Sequence, residues 1–395
     1  MATNDHHWIF FVLSTLLLWF LESSNATYIN VVNYGAKAGT TFDSTTAFLK
    51  AWSSACKSSS GGPARIYVPK GRFLIKQVSF TGPCRNKIEL EIEGTLVAPS
   101  DYWSVGNSGY WILFRDVNWV SVSGGTLDGN GAPYWHCRRT GNNCPAGARS
   151  ISFSWSNNVV INGLRSINSQ RMHISVDHCK NVLIEEVKIR APAGSPNTDG
   201  INVQFSSGVN ISHATIMTGD DCISIGQGTR NMWVQHVACG PGHGISIGSL
   251  GSYLEEAGVE NITVTSSVFT KTQNGVRIKS WAQPSNGYAR DIVFRNLIME
   301  NAYNPIIIDQ QYCPGRECPH QNSGVKISRV SYEDIKGTSA SPVAINFHCS
   351  SSNPCWGITL QDIRLTYLKG SATSSCSNAA GTNTGLVIPK SCLTH

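Results

Sequence analysis

The sequence predicts an all-β protein, wound as a single-stranded right-handed parallel β-helix with a short capping helix at its N-terminal end. Two observations carry this. Apolar alternations open at positions 158, 181, 210, 231, 261 and 291, with almost no helical periodicity between them. Only 14% of the 395 residues are charged, which suits stacking, because uncharged polar side chains tolerate copies of themselves above and below where like charges repel.

The elements follow in chain order. The apolar run Trp8 to Leu21, with small residues before a cut after Ala26, reads as a secretory signal. Loss of Asp5 and Glu22 with it would raise the net charge from +6 to +8. The expected product is a secreted, extracellular catalytic domain, residues 27–395, with no further segment able to span a membrane. Basic residues form no run of the kind that binds nucleic acid, so the mild positive charge suits another polyanion. Asp43 to Cys56 is expected to be helical, since Ala47, Phe48, Ala51, Trp52 and Ala55 make one apolar face behind an Asp/Ser cap. Its expected place is over the open N-terminal end.

Each later repeat begins near an Asn or Asp, as in NVLIEEVKIR from Asn181 and NITVTSSVF from Asn261, and each carries a second strand such as DGINVQF, DDCISIG, HGISIGS or NGVRIKSW. That makes about three short strands per coil, pairing with the next coil without crossover helices. The thirteen cysteines show no zinc-ligand spacing. Local pairing gives Cys56–Cys84, Cys137–Cys144, Cys222–Cys239, Cys313–Cys318, Cys349–Cys355 and Cys376–Cys392, with Cys179 left as a small buried hydrophobe.

Aligning the second strands puts Asp199, Asp221, His243 and Asn274 at one position of four successive coils, where strands stack about 4.8 Å apart. Asp220 adds a third carboxyl. In the same register Arg277 falls on the outward face with Asn202, Ser224 and Ser246, and Lys279 follows. Carboxylates this close repel, so one retains its proton. A protonated carboxyl beside an ionised one is what hydrolysis of a glycosidic bond requires, and the two cations would hold a substrate carboxylate. Three acids also suit Ca²⁺, an option that the adjoining cations oppose, while one His is too few for zinc hydrolysis. Singly, these residues read as turn acids, a structural His and a solvated strand face. Their coincidence in adjacent coils argues for a site.

Asn197-Thr198-Asp199, Gly219-Asp220-Asp221, Gly242-His243-Gly244 and Arg277-Ile278-Lys279, with Tyr312 in the next coil, resemble the signature motifs of the polygalacturonases, the family 28 glycoside hydrolases of pectin. VVNYGAK and LDGNG resemble the plant branch. The resemblance covers the whole expected mature chain. It implies a pectin-lyase-like β-helix that hydrolyses α-1,4-linked galacturonate with inversion. It also implies Asp220 as general acid, Asp199 and Asp221 as the pair that activates water, and His243 as the residue tuning the acid, with Arg277, Lys279 and Tyr312 binding substrate. No cofactor or metal is implied. The expected partner is polygalacturonate of the plant cell wall, the expected state a monomer.

The alternatives are a Ca²⁺-dependent pectate lyase and a non-catalytic pectin-binding β-helix. Carboxyls one rung apart start nearer the separation of about 5–5.5 Å found in retaining enzymes than the 6.5–9.5 Å of inverting ones, so inversion rests on the resemblance. Endo or exo cleavage depends on loops such as Gly251 to Val259 and Gln283 to Ala289. Sequons open at Asn25, Asn210 and Asn261, of which Asn25 would leave with the signal. Asn210 and Asn261 are expected to share a coil position with Asn158, Asn181 and Asn231, where a ladder of Asn side chains would exclude a glycan.

Overall fold

Alternating apolar residues in short β-branched strands leave one face to bury and one to hydrate, and the chain satisfies both with two wholly parallel sheets. The computed structural model describes residues 27–394 apart from 60, 61, 142, 316 and 369. The expected signal, residues 1–26, lies outside the described residues. One sheet has 19 strands and the other 11, and the chain visits them in turn, so each strand pairs with its equivalent from the previous passage. From Arg149 to Cys239 each passage contributes three short strands, for example Ile201–Gln204, Ser207–Ser212 and Thr215–Met217. Further on, two of the three merge into long strands such as Val259–Thr270 and Tyr288–Ala302.

Register is strict. In the 11-stranded sheet Ile151, Ile174, Ile201, Ile223, Ile245 and Val276 lie directly over one another, all of them buried. The neighbouring inward column runs Phe153, Val176, Val203, Ile225, Ile247 and Ile278. A one-residue slip would turn both columns into solvent, so the pairing that buries them also sets every outward side chain.

The recurrent Asn at the head of each repeat has a backbone cause. Asn158, Asn181, Asn231 and Asn261 adopt φ of 54° to 56°, the left-handed corner that Asn tolerates better than other non-glycine residues. Their amides form a ladder: Asn158 donates to Asn118 at 2.8 Å, Asn181 to Asn158 at 3.1 Å and Asn261 to Asn231 at 2.7 Å. Asn210 does not belong to it. It pairs in register with Leu183 and Trp233 on the outward face of a strand, and Gly208 with φ of 67° occupies the corner. The shared coil position expected for Asn210 is therefore corrected by two residues, because glycine meets the corner's φ requirement without an amide to mark it.

The N-terminal helix spans Thr45–Lys57 and buries Ala47, Phe48, Ala51, Trp52 and Ala55. Trp52 packs on Phe80 and Phe114 with ring centroids 4.9 and 5.5 Å away, and its indole N–H donates to the Thr81 carbonyl at 3.1 Å. The first turn is held by Asp43, which accepts the Thr45 amide at 3.0 Å, whereas the Ser44 hydroxyl bonds Lys37. All six disulfides are those of local pairing, and the Cys179 thiol is free, buried and pushed up to about 11 by that burial. No described helix is long and apolar enough to cross a membrane.

Because Ile223 is 0% exposed and sandwiched between Ile201 and Ile245, Ile223→Ala is expected to destabilise the protein by about 2–5 kcal/mol. Urea unfolding with an unchanged midpoint would contradict the packing described.

Candidate active site

The site forms where turns lead into strands of the smaller sheet. Asp199 precedes Ile201–Gln204, Asp220 and Asp221 precede Ile223–Ile225, and His243 precedes Ile245–Leu250. The pairings Ile201↔Ile223↔Ile245 bring these turns side by side, and backbone bonds tie them: Gly200 N–H to the Asp221 carbonyl at 2.9 Å, His243 N–H to that of Asp220 at 2.8 Å. Gly244 sits at φ of 88°, and a Cβ there would lie 2.1 Å from the Asn274 carbonyl oxygen. Only glycine lets the chain turn that closely beside His243. Asn274, next in the column, donates to the His243 carbonyl at 3.1 Å and accepts from Asn304 at 3.0 Å.

The outward register expected from the sequence, Asn202, Ser224, Ser246 and Arg277, is the one observed. Its consequence is a network centred on Asp221, which is 1% exposed. Arg277 donates to Asp221 Oδ1 at 2.8 Å and Lys279 to Oδ2 at 2.7 Å. Ser246 donates to Oδ1 at 2.8 Å and accepts from Arg277 Nε at 3.0 Å. The two cations thus bracket an acid, and both are themselves buried. Tyr312 closes the group from the following strand, its ring centroid 5.0 Å from Lys279 Nζ and 5.7 Å from the Arg277 guanidinium, within cation–π range. The part of Ser246 was not visible in the sequence, where it reads as an ordinary outward serine.

Asp220 is the most open of the three acids, with an 18% exposed side chain. Its Oδ1 lies 3.1 Å from His243 Nδ1 and accepts the Asp221 amide at 2.8 Å. Burial pushes its carboxyl up, but the His243 hydrogen bond and charge, Lys279 and the Asp221 amide together hold it below the usual carboxylate range. Asp199 goes the other way. Burial, then repulsion from Asp220 and Asp221, raise it to about 7 against a bond from Ser224 and the charge of Lys279. Of the three acids, Asp199 is therefore the one that burial and neighbouring like charge most favour in its protonated form.

One donor atom each of Asp220, Asp221 and His243 lies within 4.8 Å of the others, the only such grouping among the described residues. A cation there would have to displace Arg277 and Lys279, since both oxygens of Asp221 already carry one of them. The donor set fits a bound metal poorly.

The model describing glycosyl hydrolases family 28 matches residues 56–391. A polygalacturonase of Prunus persica is 53% identical over 388 residues, which cover 97% of this chain and 98% of that one. An exopolygalacturonase of Platanus acerifolia is 41% identical over 374 residues, 93% and 98% of the two chains. Among solved structures, an endo-xylogalacturonan hydrolase of Aspergillus tubingensis matches with a TM-score of 0.80 at 22% identity, covering 92% of this chain and 100% of that one. An exopolygalacturonase of Thermotoga maritima matches with a TM-score of 0.75 at 19% identity, covering 90% of each chain. At those identities the structural matches speak for the fold alone.

A buried acid raised above its unfolded value binds its proton more tightly when folded, so this contribution is whole at low pH and is lost between about pH 4 and pH 7. Asp199→Asn removes the loss. The variant is expected to gain stability over the wild type from pH 5 to pH 8, by a few kcal/mol at most. Parallel melting curves across that range would show that Asp199 is not the proton carrier.

Proposed function

The chain belongs to glycosyl hydrolase family 28, and we propose that it cleaves polygalacturonate at the cleft just described, with Asp220 as general acid. It is a pectin-degrading glycosidase of the polygalacturonase kind. The observation that best supports the assigned site is the coincidence of three acids, one of them raised by burial and like charge, with the Arg277–Lys279–Tyr312 group two to three strands beyond Asp221. Hydrolysis needs the first and an anionic sugar polymer the second.

Asp220 is the carboxyl that solvent and a leaving-group oxygen can reach. His243 holds its Oδ1 in place. When a sugar carboxylate draws Arg277 and Lys279 off Asp221, the cluster gains negative charge at its centre, and the proton held by Asp199 moves to Asp220, where the leaving oxygen can take it. Asp199 and Asp221, then ionised, activate water. Oxygens of Asp220 and Asp221 come within 4.8 Å of each other, short of the separation of about 6.5–9.5 Å usual in inverting enzymes, so inversion rests on the family and not on this spacing.

The finer architecture belongs to the same proposal. The coils form one right-handed parallel β-helix, the hand that parallel crossovers favour, and the helix Thr45–Lys57 caps its N-terminal end. Residues 1–26 act as a cleaved signal for a monomeric wall enzyme, and six disulfides suit such an oxidising compartment.

Asp220→Asn is expected to lower kcat on polygalacturonate by about 10²- to 10⁴-fold. Turnover near that of the wild type would remove Asp220 from the role. The intact enzyme is expected to release reducing ends at the same rate with and without EDTA, giving no ultraviolet-absorbing unsaturated product and the β-anomer first by proton NMR. Chelator-sensitive release of an unsaturated product would support the lyase, and binding without any new ends a non-catalytic wall protein.

A further inference from the structure

The cleft holds a second group of cations that the assignment above does not use. On the outward face of the smaller sheet, Ser152 and Ser175 continue the column of Asn202, Ser224, Ser246 and Arg277. Ser152 stands five strands from Arg277, roughly 24 Å along the stack at ~4.8 Å per strand. There a cavity of about 190 Å³ opens, lined among others by Tyr110, Arg115, Arg149, Ser175, Asp177 and Gln204. Of its charged members, Arg115 pairs with Asp116 at 3.4 Å and Asp177 with His178 at 3.0 Å.

Arg149 has no such partner. No carboxylate of the described residues lies within 4.0 Å of it, and its Nε is buried without a hydrogen bond. Its one side-chain bond is a long one, from Nη1 to the Gly109 carbonyl at 3.4 Å. Arg171 lies in the turn before the adjacent strand Ile174–Asp177, its amide bonded to the Ala148 carbonyl at 3.1 Å, and it too lacks an ion pair among the described residues. Burial and the charge of Arg171 both weigh against the Arg149 guanidinium, with Asp177 and Asp199 acting the other way. A half-buried planar fork beside another cation, its Nε buried and unbonded, is stabilised by an incoming carboxylate. Arg277 and Lys279, by contrast, already have one in Asp221.

We propose that Arg149, backed by Arg171, is a second carboxylate-binding site of the cleft and holds a galacturonate unit remote from the bond that is cleaved. The proposal rests on the polygalacturonate reading above. A polymer with one carboxylate per sugar can engage Arg277 and Lys279 on one side of the acids and Arg149 on the other, so Arg149 would set how affinity grows with chain length.

The test uses oligogalacturonates of increasing length with the full chain and its Arg149→Gln and Arg149→Lys variants, reading KM and kcat from reducing ends. In the wild type, KM is expected to drop once the oligomer is long enough to span from the acids to Arg149. Arg149→Gln should abolish that drop, raising KM for the long substrates about tenfold, the scale of one charge-assisted hydrogen bond, while the shortest cleaved oligomer is unaffected. Arg149→Lys should recover part of it, since the charge returns without the fork, and this variant carries the test if the Gln substitution prevents folding. A length dependence identical in all three proteins would overturn the proposal, as would an equal loss at every length. A wild type that releases no ends from any oligomer would overturn the parent reading, and this one with it.

Discussion

Everything in this molecule depends on parallel strands stacking in register on their own equivalents. Two inward columns of Ile, Val and Phe run through the smaller sheet without a break, and each rung is stabilised mainly by the rungs above and below it. The same stacking sends residues far apart in sequence to neighbouring outward positions. Asp221 and Arg277 are 56 residues apart and bonded at 2.8 Å. No loop has to be ordered to make that contact. Asp221 sits in the turn just before its strand and Arg277 within a strand two rungs on, so the register of the core beneath brings them together.

Much of this was legible beforehand because period-two alternation with a repeat near 20–30 residues leaves few other arrangements. The column Asn202, Ser224, Ser246 and Arg277 could be read from apolar spacing alone, and so could the acids at its edge. What escaped has a common cause. Asn210 was placed at a corner on the strength of its residue type, but a corner demands a left-handed backbone, and Gly208 supplies that without looking like the neighbouring Asn residues. Register could place Arg277 and Lys279 on the outward face two strands beyond Asp221 without revealing that their side chains fold back onto it. Arg149 carried no signal, since its burial and the distance of other acids from it are properties of the packed cleft.

The charges of the site follow from the same geometry. Stacking strands puts carboxyls on successive rungs, and burial removes the water that would screen them. Two outcomes are open to such a cluster, and this one uses both. Asp221 recruits counterions, Arg277 and Lys279, which reach it from two strands along the sheet. Asp199, whose cationic neighbours are outweighed by burial and by the other acids, keeps its proton up to about pH 7. Asp220 escapes both because it is more open and because His243 and the Asp221 amide supply it with donors.

The free site is thus already close to electrical balance, and that shapes what a substrate can do there. On the assignment proposed above, an anionic sugar arriving at Arg277 and Lys279 would not bring charge to a bare cation. It would trade places with Asp221, ion pair for ion pair, with the desolvation of each guanidinium and ammonium already met in the folded protein. The net gain in affinity from such an exchange is small, but its selectivity is not: a neutral ester offers no charge to trade and would leave Asp221 holding both cations. The exchange also couples binding to chemistry, since an Asp221 stripped of its partners raises the proton affinity of the acids beside it. On that assignment the substrate's own charge would help set the protonation state that its cleavage requires.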